Sequence, residues 1–390
     1  MTTEPHPVSQ TFDRFFSSEK SSGILIIICT LVSMSIANSL FGEQYLEFWR
    51  YPILGLSIEH WVNDGLMAVF FLFIGLELER ELYSGELSDF KKALLPLFAA
   101  AGGIAVPALI HFGFNAGTPT QVGMGIPMAT DIAFALGILA LLGKRVPISL
   151  KIFLTALAVI DDLGAIIVIA VFYTAEISAM YLLAAAGVYA LMLTMNRFFR
   201  VIALLPYLVG GAVMWFLMLK SGVHATIAGV LLAFAIPNSS KQDDEDSPSH
   251  KLEHFLHLPV AFVILPLFAL ANTDIVFSTH WADDLGTTNS LGILAGLIIG
   301  KPLGVVLVTS IVVMLGICQL PRDMDWKHVL GAGLLAGIGF TMSIFITNLA
   351  YAGNPEVITA SKIAILLSSL TAGAVGFLWL RLIPATESPK

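Results

Sequence analysis

Two adjacent aspartates, Asp161 and Asp162, lie in the middle of an apolar run that extends from Leu150 to Tyr173. The run is long enough to cross a bilayer, which takes about 20 residues in a helix. A carboxylate at the centre of a membrane is costly, and a second carboxylate beside it hinders the ionisation of the first. Because nothing in folding requires such a pair, the sequence predicts a site that binds and releases cations or protons.

Two further ionisable residues, Asp131 and Lys301, lie near the midpoints of other apolar runs. Neighbouring positions of a helix point about 100° apart, so Asp161 and Asp162 face different directions. One aspartate can line an ion path while the other pairs with a cation, for which Lys301 is the candidate. The alternative interpretation is a structural ion pair without a transport role. It leaves at least one acid unexplained, because three carboxylates face one ammonium.

The composition indicates that these residues lie in a membrane protein. Of the 390 residues, 57% are hydrophobic and 12% are charged, whereas soluble domains carry roughly 25% charged residues. The net charge of −8 is small for this length, and no basic tract indicates a nucleic-acid partner. The two cysteines lie far apart and match neither a metal-binding nor a disulfide pattern. We therefore expect a lipid-embedded protein without a resident cofactor.

About twelve apolar runs that could cross a membrane follow one another along the chain. Backbone groups cannot stay unpaired in lipid, and long unbroken runs do not fit the alternating pattern of a barrel, so each run is predicted to be a helix. The predicted fold class is an all-α polytopic membrane protein with a single transporter domain, residues 1–390. The approximate limits of spans 1 to 12 are 22–41, 61–78, 93–113, 121–143, 150–173, 179–196, 203–219, 222–236, 256–274, 291–315, 329–350 and 360–380.

Lysine and arginine are distributed unevenly among the predicted loops. If the N-terminus lies in the cytoplasm, 16 of the 20 basic residues fall in cytoplasmic segments and only three in outer segments. This distribution follows the positive-inside rule and predicts an even number of spans with both termini in the cytoplasm. The predicted non-spanning segments include a cytoplasmic N-terminal segment 1–20, an external segment 42–60, a cytoplasmic loop 237–255 and a cytoplasmic tail 381–390.

Two of the predicted spans contain helix-breaking residues near their centres. In span 4, Pro127 precedes Asp131 by four residues, and span 11 contains two glycines in the segment GIGFTMSI. This segment aligns with GIPMATDI of span 4. Similar breaks in corresponding spans indicate a binding site formed by discontinuous helices in an inverted repeat, in which spans 3–5 mirror spans 10–12. Asp131 is then expected near the positive half-helix ends, and Lys301 near the negative ones.

Seven stretches of the sequence resemble the NhaA-type sodium/proton antiporters of bacterial inner membranes. The resemblance covers nearly the whole chain in order, and its blocks TDIAFALG and VIDDLGAI are highly specific. It implies a transporter rather than an enzyme, with twelve helices of which spans 4 and 11 are discontinuous and cross. It also implies exchange of cytoplasmic Na⁺ and Li⁺ for external H⁺. The stretches are MAVFFLFIGLELERE (67–81), PMATDIAFALGILALLGKRVP (127–147), LAVIDDLGAIIVIA (157–170), SGVHATIAGVLLAF (221–234), LEHFLHLPVAF (252–262), GKPLG (300–304) and GIGFTMSIFI (337–346).

The resemblance also implies roles for individual residues. By resemblance, Asp162 is the principal ligand of the cation, and Asp161 is its partner in ion and proton exchange, paired to Lys301. Thr130 and Asp131 lie at the helix crossing. A homodimer that uses an external hairpin within 42–60, and regulation by pH through a cytoplasmic cluster, are further implications. The pH-response residues are Glu77, Arg80, Glu81, Lys251, Glu253, His254 and His257, although the residues alone favour a solvated helix end and a mobile polar linker.

The residues themselves leave part of the mechanism open. Na⁺ is a hard cation that requires oxygen ligands, and Asp161, Asp162 and the carbonyls released at the helix breaks can supply them. Protons compete for the same carboxylates, so exchange needs no separate coupling device. Transport of two protons per Na⁺ is electrogenic, and the second group that titrates is either Asp161 or Lys301.

Three other classes of membrane protein fit the sequence less well than a cation/proton antiporter. A sodium-coupled symporter of the same general fold is the main alternative, but the sequence shows no polar anchors for an organic substrate. An intramembrane aspartyl protease requires two aspartates that face each other from separate helices, which an adjacent pair cannot do. A passive cation channel is expected to show repeats arranged around a pore, and none is visible.

Overall fold

The structure is a computed structural model of the 390-residue chain. Parts of the predicted N-terminal segment 1–20, of the predicted loop 237–255 and of the predicted tail 381–390 lie outside the residues it describes. The described residues are 7–173, 177–238, 247–277 and 281–384.

Helices account for most of the described chain, and several of them are extended by turns of π- or 3₁₀-helix. The α-helices are α1 (Pro7–Ala37), α2 (Gly42–Arg50), α3 (Ile58–His60), α4 (Met67–Tyr83), α5 (Phe90–Asn115), α6 (Ile132–Leu142), α7 (Ile148–Phe172), α8 (Ala179–Arg197), α9 (Leu205–Ser221), α10 (Ile227–Ala235), α11 (Pro248–Pro259), α12 (Leu265–Asn272), α13 (Trp281–Asp284), α14 (Thr288–Ala295), α15 (Lys301–Met314), α16 (Trp326–Ala336), α17 (Phe340–Ala350) and α18 (Pro355–Leu382). The π-helical turns are Trp61–Leu66, Val260–Ile264 and Gly296–Gly300, and the 3₁₀-helices are Glu86–Ser88, Pro119–Met128 and Gly143–Arg145.

Eight helical stretches of the described chain are long and apolar enough to cross a membrane, or up to ten if each of two bent helix pairs is one span. The bent pairs are α1 with α2, at 115°, and α16 with α17, at 46°. Two predicted spans fall short of this length, because α9 has 17 residues and α10 has nine. The chain is therefore a multi-pass membrane protein, and the count of twelve spans stays a prediction.

A short hairpin lies within the predicted external segment 42–60. Strands β1 (Pro52–Ile53) and β2 (Leu56–Ser57) pair in antiparallel register. The two residues between them, Leu54 and Gly55, have φ values of 53° and 86°. Positive φ at both central residues is typical of the tight turn whose twist matches that of paired strands.

Small residues let the helices around the aspartates approach closely. A Cβ atom added to Gly102 of α5 would collide with the carbonyl oxygen of Gly304 in α15, and a Cβ on Gly304 would collide with that of Gly102. Such backbone-to-backbone contacts are typical of packing in membranes, where small residues form the helix interfaces. The Lys301 ammonium lies 3.6 Å from the place where a Cβ of Gly103 would be. The close approach of α5 and α15 therefore depends on Gly102 and Gly304.

Candidate ion-binding site

Predicted span 4 is interrupted between Met128 and Ile132. The 3₁₀-helix ends at Met128, Ala129 and Asp131 have extended backbone conformations, and α6 begins at Ile132. Pro127, one residue before the end of the 3₁₀-helix, has no N–H group to continue a helical pattern. Asp131 caps α6, since its Oδ1 accepts a hydrogen bond of 3.1 Å from the backbone N–H of Phe134. The break therefore places peptide groups and one carboxylate in the interior of the protein.

The break of span 4 contacts the break between α16 and α17. The backbone N–H of Asp131 donates to the carbonyl of Ile338 at 2.6 Å. Thr341 donates to Asp131 Oδ2 through its backbone N–H at 3.0 Å and through its hydroxyl at 2.5 Å. The Asp131 carboxylate thus lies at the N-terminal ends of both α6 and α17, where helix dipoles stabilise a negative charge.

The ion pair expected between Asp161 and Lys301 is present. The Lys301 ammonium lies 2.6 Å from Asp161 Oδ2, and both side chains are fully buried. The same ammonium donates to the carbonyl of Met128, at the C-terminal end of the 3₁₀-helix. The Thr130 hydroxyl lies 2.7 Å from Asp161 Oδ2 and 2.9 Å from the carbonyl of Ala336, and its single proton serves one of them at a time. Lys301 therefore neutralises both a carboxylate and a negative helix end.

Each of the adjacent aspartates has one oxygen without a donor. The Oδ1 atoms of Asp161 and Asp162 are buried and accept no hydrogen bond within the described residues. Buried carboxylate oxygens are costly unless a donor or a positive charge compensates them. A cation brings that charge and requires oxygen ligands. These two oxygens therefore fit a cation better than they fit a purely structural role.

A cavity of about 50 Å³ leads to Asp162. It extends from Asp162, Asp131 and Thr341 to Glu77 and His257. Since a water molecule occupies roughly 10–15 Å³ by such a measure, the cavity holds a few waters or a small hydrated cation. Its remaining walls are Ser22, Phe70, Phe73, Ile74, Ile132, Ala133, Val260, Ala261, Leu265 and Met342.

Four of the predicted pH-response residues form one charged cluster around Arg80. The Arg80 guanidinium lies 2.8 Å from Glu253, 2.9 Å from Glu81 and 3.9 Å from Glu77. The contact with Glu253 joins α4 to α11, which are 173 positions apart at this pair. Glu77 is buried and lines the same cavity as Asp162, so the cluster borders that cavity.

The three remaining predicted pH-response residues lie on α11. The His257 ring is half-buried, packs 6.0 Å from the Phe73 ring between centroids, and lines the cavity. Lys251 and His254 are exposed and are not among the described residues that line the cavity. The structure therefore brings His257 to the cavity and leaves Lys251 and His254 at the surface.

The chain matches one known protein family over most of its length. Residues 13–380 match the family described as Na⁺/H⁺ antiporter 1. The chain belongs to this family. Its membership places the chain among transporters rather than enzymes.

Two curated relatives of this family member are both called Na(+)/H(+) antiporter NhaA. The protein of Dechloromonas aromatica (strain RCB) is 69% identical over 373 residues, and that of Cytophaga hutchinsonii is 59% identical over 375 residues. Each alignment covers 96% of both chains. Among solved structures, the sodium proton antiporter MjNhaP1 from Methanocaldococcus jannaschii is similar, with a TM-score of 0.56 and 14% identity over 96% of this chain and 98% of that one. At this identity the likeness shows a shared fold.

Sequence reasoning overlooked the side chains that hold the broken helices of this family member. Thr341 was not predicted as a site residue. Its position two residues after Gly339, in the interrupted part of span 11, indicates a hydroxyl at the start of a helix. Two tyrosines also hold the 3₁₀-helix, since Tyr173 donates to the carbonyl of Val122 at 2.7 Å and Tyr351 to that of Thr120 at 2.9 Å. Nothing in the local sequence marks either tyrosine, because each contact joins distant parts of the chain.

Proposed function

We propose that the protein exchanges cytoplasmic Na⁺ for external H⁺ across the bacterial inner membrane. The observation that carries this proposal is the pair of buried aspartates, Asp161 and Asp162, beside two interrupted helices. Each aspartate has one carboxylate oxygen that accepts no hydrogen bond within the described residues. The names of the relatives support the same activity. The protein then acts as a secondary active antiporter in sodium and pH homeostasis.

In the proposed mechanism, Asp162 is the principal ligand of the cation. Na⁺ binds when Asp162 is ionised, with further oxygens from Asp161 and from carbonyls at the helix breaks. A proton on Asp162 removes the charge that holds Na⁺, so the two ions displace each other. Asp131 contributes by stabilising the helix ends, because its oxygens already accept three hydrogen bonds. Alternating exposure of Asp162 to the two sides then couples the two gradients.

The ion pair of Asp161 with Lys301 supplies the second proton in this mechanism. If Asp161 turns to Na⁺, Lys301 loses its carboxylate partner inside an apolar environment, where an ammonium is costly. Either Lys301 then releases a proton or Asp161 carries one in the other half of the cycle. Both routes move two protons per Na⁺, so exchange is electrogenic. Li⁺, a smaller cation of the same charge, is the second expected substrate.

The finer architecture proposed here is that of the family. Twelve spans, with an inverted repeat that relates spans 3–5 to spans 10–12, are arranged so that spans 4 and 11 cross at their breaks. The hydrogen bonds between Asp131, Ile338 and Thr341 support that crossing. Both termini lie in the cytoplasm, the hairpin within 42–60 contributes to a homodimer, and the Arg80 cluster contributes to regulation by pH.

A sodium-coupled symporter of the same general fold remains the alternative function. It requires a pocket for an organic substrate near the cation. The cavity of about 50 Å³ at Asp162 is lined mainly by apolar side chains and is too small for such a molecule. The cavity therefore favours exchange with protons.

Everted membrane vesicles test the proposed function. With an acid interior established by respiration, addition of NaCl should raise the internal pH of vesicles that contain the protein. Choline chloride should have no effect, and vesicles without the protein should not respond to NaCl. A positive-inside potential should speed the exchange if it is electrogenic. Absence of a Na⁺-driven pH change between pH 7 and 9 would contradict antiport.

The pH profile of exchange should shift with the Na⁺ concentration. Protons and Na⁺ compete for Asp161 and Asp162, so exchange should be blocked at acid pH and rise toward alkaline pH. A tenfold increase in Na⁺ should move the half-maximal pH of exchange down by roughly half to one unit, because mass action lets the cation offset bound protons. The measurement is the initial exchange rate between pH 6 and 9 at two Na⁺ concentrations.

A gate controlled by the Arg80 cluster predicts a different profile. In that case the acid block persists at saturating Na⁺, and it weakens when His257 or Glu253 is replaced. His257→Ala and His254→Ala are a matched pair, because only His257 lines the cavity. A half-maximal pH that does not move with tenfold more Na⁺ would show that competition is not the larger effect.

A further inference from the structure

Three asparagine side chains join predicted spans 2, 9 and 11. Asn63 and Asn272 form a reciprocal pair, in which each amide donates to the carbonyl oxygen of the other at 3.2 and 2.8 Å. Asn348 donates to the same oxygen of Asn272 at 2.5 Å. Asn272 is fully buried, whereas Asn63 and Asn348 are partly exposed. We call these three residues the amide clasp.

Three phenylalanines lie between the amide clasp and the cavity, on the same three spans. The ring of Phe345 lies 5.5 Å from that of Phe71 and 6.4 Å from that of Phe268, measured between centroids. All three are buried. Phe268 lies one helical turn before Asn272, and Phe345 lies three residues before Asn348, so plug and clasp follow each other along the same helix faces. We call these phenylalanines the aromatic plug.

The cavity lies directly on the other side of the aromatic plug. Ile74, Leu265 and Met342 line the cavity, each from one of the same three spans. Ile74 follows Phe71 by three residues, whereas Leu265 precedes Phe268 and Met342 precedes Phe345 by three residues, in each case on the side away from the clasp asparagine. Cavity, plug and clasp are therefore successive layers, and the clasp is the layer farthest from Asp162.

An ion pair lies just beyond the amide clasp. The ammonium of Lys362 in α18 is 3.8 Å from the carboxylate of Asp274, two residues after Asn272. The Asp274 side chain is partly exposed. Since the three rings of the plug are buried whereas Asn63, Asn348 and Asp274 are partly exposed, the layers lead from the interior toward one surface. In the proposed topology that surface is the outer face of the membrane.

We propose that the amide clasp is the latch of the outer gate, which separates when Asp162 becomes exposed to the exterior. The inference rests on the proposed function, since it assumes that Asp162 alternates between the two sides. Ions do not cross a plug of buried rings, so spans 2, 9 and 11 must part on the outer side. Amides suit such a latch because they bond to one another when it is closed and to water when it is open. The net cost of opening is therefore small enough for a transport cycle.

The first experiment measures access to the cavity from outside. A cysteine is placed at Ala133, which lines the cavity, in a Cys29→Ser, Cys318→Ser background. Intact cells are treated with a membrane-impermeant methanethiosulfonate reagent. Asn348→Ala removes one bond of the latch and should raise the rate of labelling from outside roughly fivefold, the factor that corresponds to one typical hydrogen bond.

Asn289→Ala is the matched control for this experiment. The Asn289 amide is also buried and bonds to Ser361 and Tyr351, but it is not part of the contacts between spans 2, 9 and 11. It should leave the labelling rate unchanged. A rate unaffected by Asn348→Ala, or raised equally by Asn289→Ala, would overturn the latch.

The second experiment closes the latch without removing a core side chain. Asn63→Cys and Asn348→Cys are combined in the same background, and a short cleavable bis-methanethiosulfonate joins them. Crosslinking should lower Na⁺/H⁺ exchange at least tenfold, and reduction should restore it. Full exchange after complete crosslinking would refute the latch while the proposed function stands. Absence of exchange in the parental background would instead refute the proposed function, and the labelling experiment would still report whether the layers open.

Discussion

Replacement of Asp162 by Asn should abolish Na⁺/H⁺ exchange in everted vesicles. Asn preserves the shape of the side chain but carries neither the negative charge that holds Na⁺ in the proposed mechanism nor a titratable proton. Asp162 is buried and lines the cavity, and its Oδ1 accepts no hydrogen bond within the described residues. The substitution therefore removes the proposed main ligand without breaking a hydrogen bond to Oδ1, and the protein should fold normally. Exchange is measured as the Na⁺-driven pH change, and folding as thermal stability in detergent.

Asp64→Asn is a control for the loss of Asp162. Asp64 lies in the π-helical turn Trp61–Leu66 of predicted span 2, and it does not line the described cavity at Asp162. This variant should retain most of the exchange activity. Near-normal exchange and apparent Na⁺ affinity in the Asp162→Asn variant would remove Asp162 from the site.

Replacement of Lys301 by Ala should lower the stability of the protein in detergent by a large amount. The Lys301 ammonium is fully buried and lies 2.6 Å from Asp161, so its removal leaves a buried carboxylate unpaired. Breaking a buried pair in this way typically costs about 3–5 kcal/mol. The carbonyl of Met128 loses a donor as well. The measurement is the melting temperature of the purified protein, which should fall well below that of the parent.

A double variant tests whether this loss arises from the contact with Asp161. Asp161→Asn combined with Lys301→Ala should lose less stability than the two single changes together, by roughly 0.5–3 kcal/mol, because neither charge is then left unpaired. Lys362→Ala is a useful comparison, since its pair with Asp274 is longer, at 3.8 Å, and partly exposed. It should cost less than Lys301→Ala. Strict additivity of the Asp161 and Lys301 changes would show that their ion pair contributes nothing.

Several features of the site could be predicted from local sequence. Asp131, Asp161, Asp162 and Lys301 are recognisable because a charge in an apolar run is costly wherever the helix lies. The break of span 4 is equally visible, since Pro127 cannot continue a hydrogen-bonded helix. The structure places all four of these charged side chains in the interior, within hydrogen-bonding reach of the breaks or beside the cavity.

The ends of the helices were harder to predict. Predicted span 2 covered 61–78, whereas the continuous helix runs from Ile58 to Tyr83. Hydropathy detects the apolar centre of a span and not its polar last turns, which here carry Glu79, Arg80 and Glu81. Predicted span 8 covered 222–236, but α10 includes only Ile227–Ala235. An apolar segment can be irregular when it is buried in protein, and composition does not distinguish that case from a helix.

The contacts between distant residues had to come from the tertiary structure. Asp161 and Lys301 are 140 positions apart, and the pair of Asp131 with Thr341 spans 210 positions. Residue types alone left open whether Asp161 or Asp162 pairs with Lys301. The 100° rotation between neighbours shows that the two side chains point in different directions, but not which of them faces the helix of Lys301. The amide clasp gave no signal for the same reason.

The sequence by itself determined that this is a polytopic membrane protein with ionisable groups at mid-span, and its motifs identified the family. These properties depend on the cost of charge and unpaired backbone in lipid, which every residue experiences individually. Only the tertiary structure decided which oxygens lack donors, that Arg80 joins α4 to α11, and that the cavity connects this cluster to Asp162. Those properties depend on how helices from distant parts of the chain pack side by side, and packing is a property of the assembled bundle rather than of any single segment.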